Sequence, residues 1–410
     1  MTDADDLFLD ATQAAELLGV SISTLYAYVS RKRVRSEPIE GTRSRKYWKA
    51  DIERLANKAS DSVSPAAQPP LLSLSRITLL TNGGLYFRGQ DAIRLSETIT
   101  LESLAALLWQ ADESKAFGKA PADASKAWQQ FRTSLQELSV QERAIAMFPM
   151  IERADPRAYD LSPEGFARTG AAVLRWYATL LVQAPKPSDL PLHIFVARAL
   201  KAPPNFEDVI RRLLVLSADH EFDPTTYAVR AVANVGVTPY QAVTIGLIAI
   251  QGQRIQAERF EASRRFLEEI LNENDGRAAA IRRLRSGEPL PGFIGGSSPT
   301  ERDPRAVALT NALDLALDGD REWRQLREAE HVIFEATGKS ANFIVPALFI
   351  GRRLGLRGNE LALAGLGRLA GWIAHAKEQF HDNPLVRPRA TYVGQLPVET
   401  LPPRPAQGSP

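Results

Sequence analysis

The sequence predicts a mainly α-helical protein: a long helical region preceded by a small helix-turn-helix unit. Three observations carry that expectation. Segments such as LESLAALLWQ, AAVLRWYATLLVQ, DVIRRLLVLSADHE, YQAVTIGLIAIQGQRI, EASRRFLEEILNEN and ELALAGLGRLAGWIAHAKEQF repeat apolar residues at spacings of three and four. RITLLTNGGLYFRG alternates on both sides of Asn82-Gly83-Gly84, a hairpin signal, and no strand–helix alternation follows it, which argues against a parallel sheet. A Ser/Ala/Pro stretch, ASDSVSPAAQPPLLSLS, separates the first 58 residues from the rest. The expected organisation is a helix-turn-helix unit over 1–58, a linker over 59–75, a helical domain over 76–395 and a Pro-rich tail over 396–410. Prolines at 384, 388, 397, 402, 403, 405 and 410 forbid a regular terminal helix.

The 410 residues carry 50 Lys+Arg against 48 Asp+Glu, so no global field selects nucleic acid or membrane. With no cysteine, thiolate metal sites, disulfides and cysteine nucleophiles are excluded. The longest apolar run, 242–250, is far shorter than the 18 or so residues of a membrane span. The opening Met-Thr-Asp-Ala-Asp-Asp is acidic where a secretory signal would be basic, so a cytoplasmic location without membrane contact is expected.

In the N-terminal unit, Thr12 is expected to cap a helix over Gln13–Leu18, which Gly19 stops. Ser21 or Ser23 then caps a second helix carrying Leu25, Tyr26 and Val29. Eight Lys/Arg against Glu37 and Glu40 between residues 31 and 49 give a local +6, whereas residues 1–60 hold ten against nine. AAELLGVSISTLYAYV, the basic Arg43-Ser44-Arg45-Lys46-Tyr47 and the closing DIERL resemble the excisionase/MerR-like winged helix-turn-helix family. That resemblance implies DNA contact, with Ser21, Ser23, Thr24 and Tyr26 facing the groove and Arg43, Arg45 and Lys46 on phosphate. A protein-interaction unit with a solvated basic loop is the alternative.

The long region resembles the citrate synthase family in several segments that occur in the family's order. These are GGLYFRGQDAIRL, LESLAALLW, LLVLSADHEFDPTTYAVRAVANVG, PGF at 291–293, DPRA at 303–306, GRLAGWIAHAKEQ and LVRPRATYVG. The resemblance implies a helical homodimer with a large and a small domain, and a cleft for oxaloacetate and acetyl-CoA in the chemistry of the tricarboxylic acid cycle. Four binding residues carry over: His220 of the ADHE segment, Arg305 of DPRA, Arg368 of GRLAGW and Arg387 of RPR. An arginine fork grips a carboxylate with two hydrogen bonds. Within the sequence, Asp303 is an alternative partner for Arg305, and His375 reads as structural. GLGRLAG follows no strand, so its glycines read as helix packing rather than a dinucleotide loop. No metal site is expected.

The family's catalytic groups do not carry over. Ile255 stands at the first histidine, Gly295 at the second and Asn342 at the aspartate base. The sequence therefore points to a ligand-binding pseudoenzyme that takes a di- or tricarboxylate such as oxaloacetate or citrate and is linked to DNA. It has no resident cofactor, and acetyl-CoA is a co-substrate only if catalysis persists. One alternative is an active citrate synthase using Glu258, Ser297 or Ser298 as substitutes. Another is a non-catalytic subunit paired with an active paralogue, lending Arg387 across the interface.

Overall fold

The computed structural model describes residues 8–30, 34–39, 42, 44–49, 51–53, 55, 74–81, 84–118, 121, 124–203, 205–273, 275–295, 302–383 and 385–386. Asn82, Gly83, Arg43, Ser297, Ser298, Arg387, most of the 59–75 linker and the 396–410 tail lie outside them.

Near the N-terminus, helices α1 (Ala11–Leu18) and α2 (Ile22–Ser30) are joined through Gly19, whose φ of 63° suits a residue without a side chain. The cap of α1 differs from expectation. Asp10, not Thr12, caps it: its carboxylate accepts the Thr12 and Gln13 N–H groups, and Gln13 reaches back to the Asp10 N–H. An ionised carboxylate backed by a reciprocal amide outcompetes a hydroxyl two residues later. Ser21 caps α2 by accepting the Thr24 N–H at 3.2 Å. Strands β1 (Phe8–Leu9), β2 (Ser36–Pro38) and β3 (Arg45–Trp48) form an antiparallel sheet in the order β1-β3-β2. Ala14, Ala15, Leu25, Val34, Tyr47 and Ile52 fill a core of their own beneath these elements.

The hairpin forms as expected: β4 (Thr78–Thr81) and β5 (Gly84–Phe87) pair from Thr78↔Phe87 to Thr81↔Gly84, and β6 (Gln90–Asp91) adds a third strand. Helices follow, and the last, Ala362–His381, is the hub. Leu101–Trp109, Pro163–Val182, Phe206–Leu216, Pro224–Ala233 and Pro239–Ile250 all pack on it. It is buried nearly all round, as expected of a helix inside a helical layer rather than on its surface. Gly367 and Gly371 let the backbone at 214–218 approach closely; a methyl on either would overlap a carbonyl oxygen, that of Leu214 or of Ala218. A second group of helices, Ala262–Asn272, Gly276–Ser286, Arg321–Thr337 and Ile344–Arg353, packs together and shares the same continuous core. Between them a two-residue pairing, β7 (Phe293–Ile294) with β8 (Ser340–Ala341), ties the PGF segment to Asn342. Two-residue strands leave no periodic trace in a sequence.

The helix read through LLVLSADHE ends earlier, at Leu216. Pro224 opens the next helix with Asp223 as its N-cap, and Glu221 adopts φ 57°, so residues 217–223 form a bent connection instead. Among the described residues no helix is long and apolar enough to cross a membrane.

Candidate functional site

The bent connection 217–223 forms one wall of a cleft of about 670 Å³. The structure brings His220, Arg305, Arg368 and Asn342 into this one cleft, although they are up to 148 residues apart in sequence (368 minus 220).

Arg368 projects from the last helix with its side chain about 10% exposed. Its Nη1 donates to Asp219 Oδ1 at 2.9 Å, while Nη2 donates to Asp223 Oδ2 at 2.8 Å and Thr226 Oγ1 at 2.7 Å. Asp219 is fully buried and also contacts Thr78 Oγ1 at 2.5 Å and His375 Nε2 at 3.2 Å. Burial alone would raise its carboxyl, but His375, Arg368 and Thr78 together hold it well below the usual carboxylate range. Burial opposes ionisation of Asp223 too, and Arg368 with the Thr225 and Thr226 donors keeps it low. His375 thus sits in a buried ion-pair network, off the cleft wall, in keeping with a structural role.

Arg305 opens the helix Pro304–Ala316 and turns back on Asp303, its Nε at 3.1 Å from Oδ1 and its Nη2 at 2.9 Å from Oδ2. The local partner visible in the sequence is the one it takes. Phe343 stacks beneath the guanidinium at 4.6 Å, and the Phe343 N–H donates to Asp303. His220 feels these charges. Burial, then Arg305, push its imidazole down to about 4 against the weaker pull of Asp303, so the ring is neutral at neutral pH.

Asn342 uses its side-chain oxygen to cap the next helix, accepting the Ile344 N–H at 2.9 Å. Only its NH₂ group remains for the cleft, a donor with no capacity to take a proton. Ile255 and Gly295 do not line the cleft at all. Ile255 ends a one-turn helix, Gln253–Ile255, after which six residues, Gln256–Glu261, form a π-helical turn. Glu258 on that turn is exposed and off the cleft wall, whereas Gln256, Arg259, Phe260 and Glu261 line the wall. Sequence reasoning missed Arg259 because the resemblance directed attention to Ile255, and Arg259 lies one helical turn beyond it with no motif of its own. Among the described residues of the cleft, Asp223 and Asp303 are paired as above and Glu261 with Arg264, while Glu142 accepts the Ser139 N–H and Glu360 the Gly358 N–H.

The groove-facing candidates of the N-terminal unit are engaged with their own surroundings. Ser21 Oγ lies 2.8 Å from Ser23 Oγ and 2.9 Å from Thr24 Oγ1, while Tyr26 is exposed. Arg45 donates to Ser36 Oγ and its carbonyl, and Lys46 sits 4.1 Å over the Phe8 ring and 3.4 Å from Glu37.

The His220 environment predicts a pH dependence. Between pH 6.5 and about 4 the unfolded chain binds a proton at this residue that the folded chain refuses. Its contribution is therefore complete above pH 6.5 and lost as pH falls through the folded value, a loss of about 3 kcal/mol at 1.36 kcal/mol per pKa unit. Urea unfolding at pH 7 and 4.5 should show this loss in the parent and a much smaller one in His220→Gln. Equal losses would place the titration elsewhere.

A family model described as citrate synthase, C-terminal domain, matches residues 71–389. A citrate synthase of Haloferax volcanii is 29% identical over 194 residues, 46% of this chain and 51% of that protein, so the chain spans about half the length of this relative. A 2-methylcitrate synthase of Shewanella oneidensis is 24% identical over 360 residues, 79% of this chain and 92% of that protein. The solved citrate synthase of the archaeon Thermoplasma acidophilum, a ternary complex with carboxymethyl coenzyme A and oxaloacetate, superposes with a TM-score of 0.60 at 20% identity. That superposition covers 80% of this chain and 95% of the other, and it speaks to the fold. With the hairpin, the ADHE connection and the arginine-bearing last helix all inside the matched span, the chain belongs to the citrate synthase family.

Proposed function

We propose that the cleft binds a di- or tricarboxylate of the oxaloacetate–citrate class without condensing it with an acyl-CoA, and that occupancy is transmitted to an N-terminal winged helix-turn-helix that contacts DNA. The observation that carries the first half is Asn342, which presents an amide where the family pattern has its carboxylate base. Among the described cleft residues Asp223, Asp303 and Glu261 are held in ion pairs, and Glu142 and Glu360 each accept a backbone N–H. Proton removal from a thioester methyl needs a positioned base, and each such group contributes about 10²–10⁴ in rate. His220, neutral and beside two arginines, suits a carbonyl or carboxylate ligand. The ligand class follows the oxaloacetate named for the Thermoplasma relative. In this reading the protein is a homodimer whose Arg387 completes the clamp.

Coupling is supported by the way the chain joins the cleft network. The Leu74 carbonyl accepts from Arg230 at 2.7 Å, the Arg76 N–H donates to Glu378 at 2.8 Å and Thr78 is bonded to Asp219. A ligand that moves Arg368 would therefore disturb the segment 74–78 through Asp219 and Thr78, and coupling requires that this segment have a second arrangement.

The test mixes the protein with oxaloacetate and either acetyl-CoA or propionyl-CoA and follows free thiol, to which a cysteine-free chain adds no background. We expect no turnover at an enzyme-like rate, a Tm raised by citrate, and DNA retardation that changes with citrate. Sustained thiol release would make the chain an active synthase of the family. Co-purification with a catalytically complete relative would make it that enzyme's non-catalytic subunit.

A further inference from the structure

We infer that Arg259, on the π-helical turn, is the group that grips the oxyanion of the cleft's ligand. This rests on the carboxylate-binding reading above and names the residue on which affinity depends.

Among the described residues four arginines line the cleft: Arg259, Arg264, Arg305 and Arg368. Three of them are already neutralised by the protein. Arg264 grips Glu261 with Nε and Nη2 and reaches Glu268 with Nη1, at 2.6–2.8 Å. Arg305 is bidentate on Asp303. Arg368 spends both Nη2 hydrogens on Asp223 and Thr226 and one Nη1 hydrogen on Asp219, so neither two-hydrogen edge of its fork is intact. Moving a ligand carboxylate onto these groups means competing with a carboxylate already in place, and breaking a buried pair strands a charge. Among the described residues Arg259 has no carboxylate partner, and it is exposed to the cleft with its whole fork available.

Its position has a structural cause. The helix Pro239–Ile250 ends with Gln251 as its C-cap, and from Gly252, the N-cap of Gln253–Ile255, the chain continues through the π-turn 256–261 into Ala262–Asn272. Gln256, Arg259 and Phe260, at spacings of three and four, line the cleft wall, while Ala257 and Glu258 are exposed and off it. In the segment that resembles the family's histidine loop, the group delivered to the cleft is thus an arginine and an amide. A planar, permanently charged fork with a neighbouring amide recognises an oxyanion, either the carboxylate of a small acid or a phosphate of a CoA thioester.

Calorimetric titration of the full chain with citrate, and separately with CoA, tests this against Arg259→Gln and Arg259→Lys. Because the side chain makes no internal ion pair among the described residues, both variants should melt within a degree or two of the parent without ligand. We expect Arg259→Gln to weaken citrate at least tenfold and Arg259→Lys to recover part of that. Weakening confined to CoA would keep the assignment and identify the oxyanion as phosphate. Unchanged affinity of both probes in Arg259→Gln, with the parent binding normally, overturns the assignment and leaves the carboxylate reading standing. A parent that binds neither probe ends both.

Discussion

Replacing Arg230 with Met should lower the unfolding free energy by about 3–5 kcal/mol, the range for removing one partner of a buried pair. Arg230 is fully buried, and its Nη1 meets Glu378 Oε2 at 2.8 Å and His375 Nδ1 at 3.2 Å. Nη2 donates to the Leu74 carbonyl, and the guanidinium lies 5.1 Å over the Phe222 ring. Methionine fills much of the volume but, among the described residues, leaves the Glu378 carboxylate with the Arg76 N–H and Arg88 at 3.8 Å. The cost arises from the stranded charge rather than from lost packing, which yields a sharp comparison. The double variant Arg230→Met/Glu378→Leu should be more stable than Arg230→Met alone, because replacing both members of a buried pair by apolar groups is often near neutral. Urea midpoints of the parent, both single variants and the double one decide it. A loss under 1 kcal/mol in Arg230→Met would mean that water or rearrangement already satisfies Glu378, and the route from the cleft to residues 74–78 would lose its rigid middle link.

Much of this architecture was legible in the sequence where it depends on local pattern. The long helices follow apolar spacing, and the hairpin follows its turn residues. Resemblance then placed His220, Arg305, Arg368 and Asn342 on what proves to be one cleft. What stayed hidden depends on competition between groups. Thr12 and Asp10 are both good caps, and the two N–H groups that Asp10 accepts, with the Gln13 backbond, decide for Asp10. The pairing of Arg368 with Asp219 and Asp223, remote along the chain, leaves no trace in its local sequence. Ile255 aligns with a catalytic position, yet the π-turn after it presents Arg259 to the cleft instead. Residue-by-residue transfer tells which chemistry is missing, whereas the folded cleft wall tells which group lies beside the gap.

The second large effect is expected from a single methyl. In an exposed helix interior, Gly→Ala stabilises by about 1 kcal/mol. At Gly371 the sign should reverse. The added Cβ would overlap the Ala218 carbonyl oxygen and come within 3.0 Å of Asp219 Oδ1. Ordinary carbon–oxygen contacts are about 3.3–3.6 Å, so one side must yield. The helix cannot retreat. Trp109 holds the Ala370 carbonyl at 2.9 Å, and Trp372 is wedged against Gly246, where a methyl would lie 2.5 Å from the indole. The segment 217–220 must therefore move, and it carries Asp219, the partner of Arg368, together with His220. Overpacking costs about 1–3 kcal/mol by itself, and loosening the Asp219–Arg368 pair adds to it, so Gly371→Ala should lose about 2–4 kcal/mol and bind citrate more weakly. Arg259→Gln, by contrast, should lose citrate affinity with stability intact. If Gly371→Ala proved as stable as the parent, residues 217–220 would be free to shift, and a rigid link between the cleft and the segment 74–78 could not be maintained.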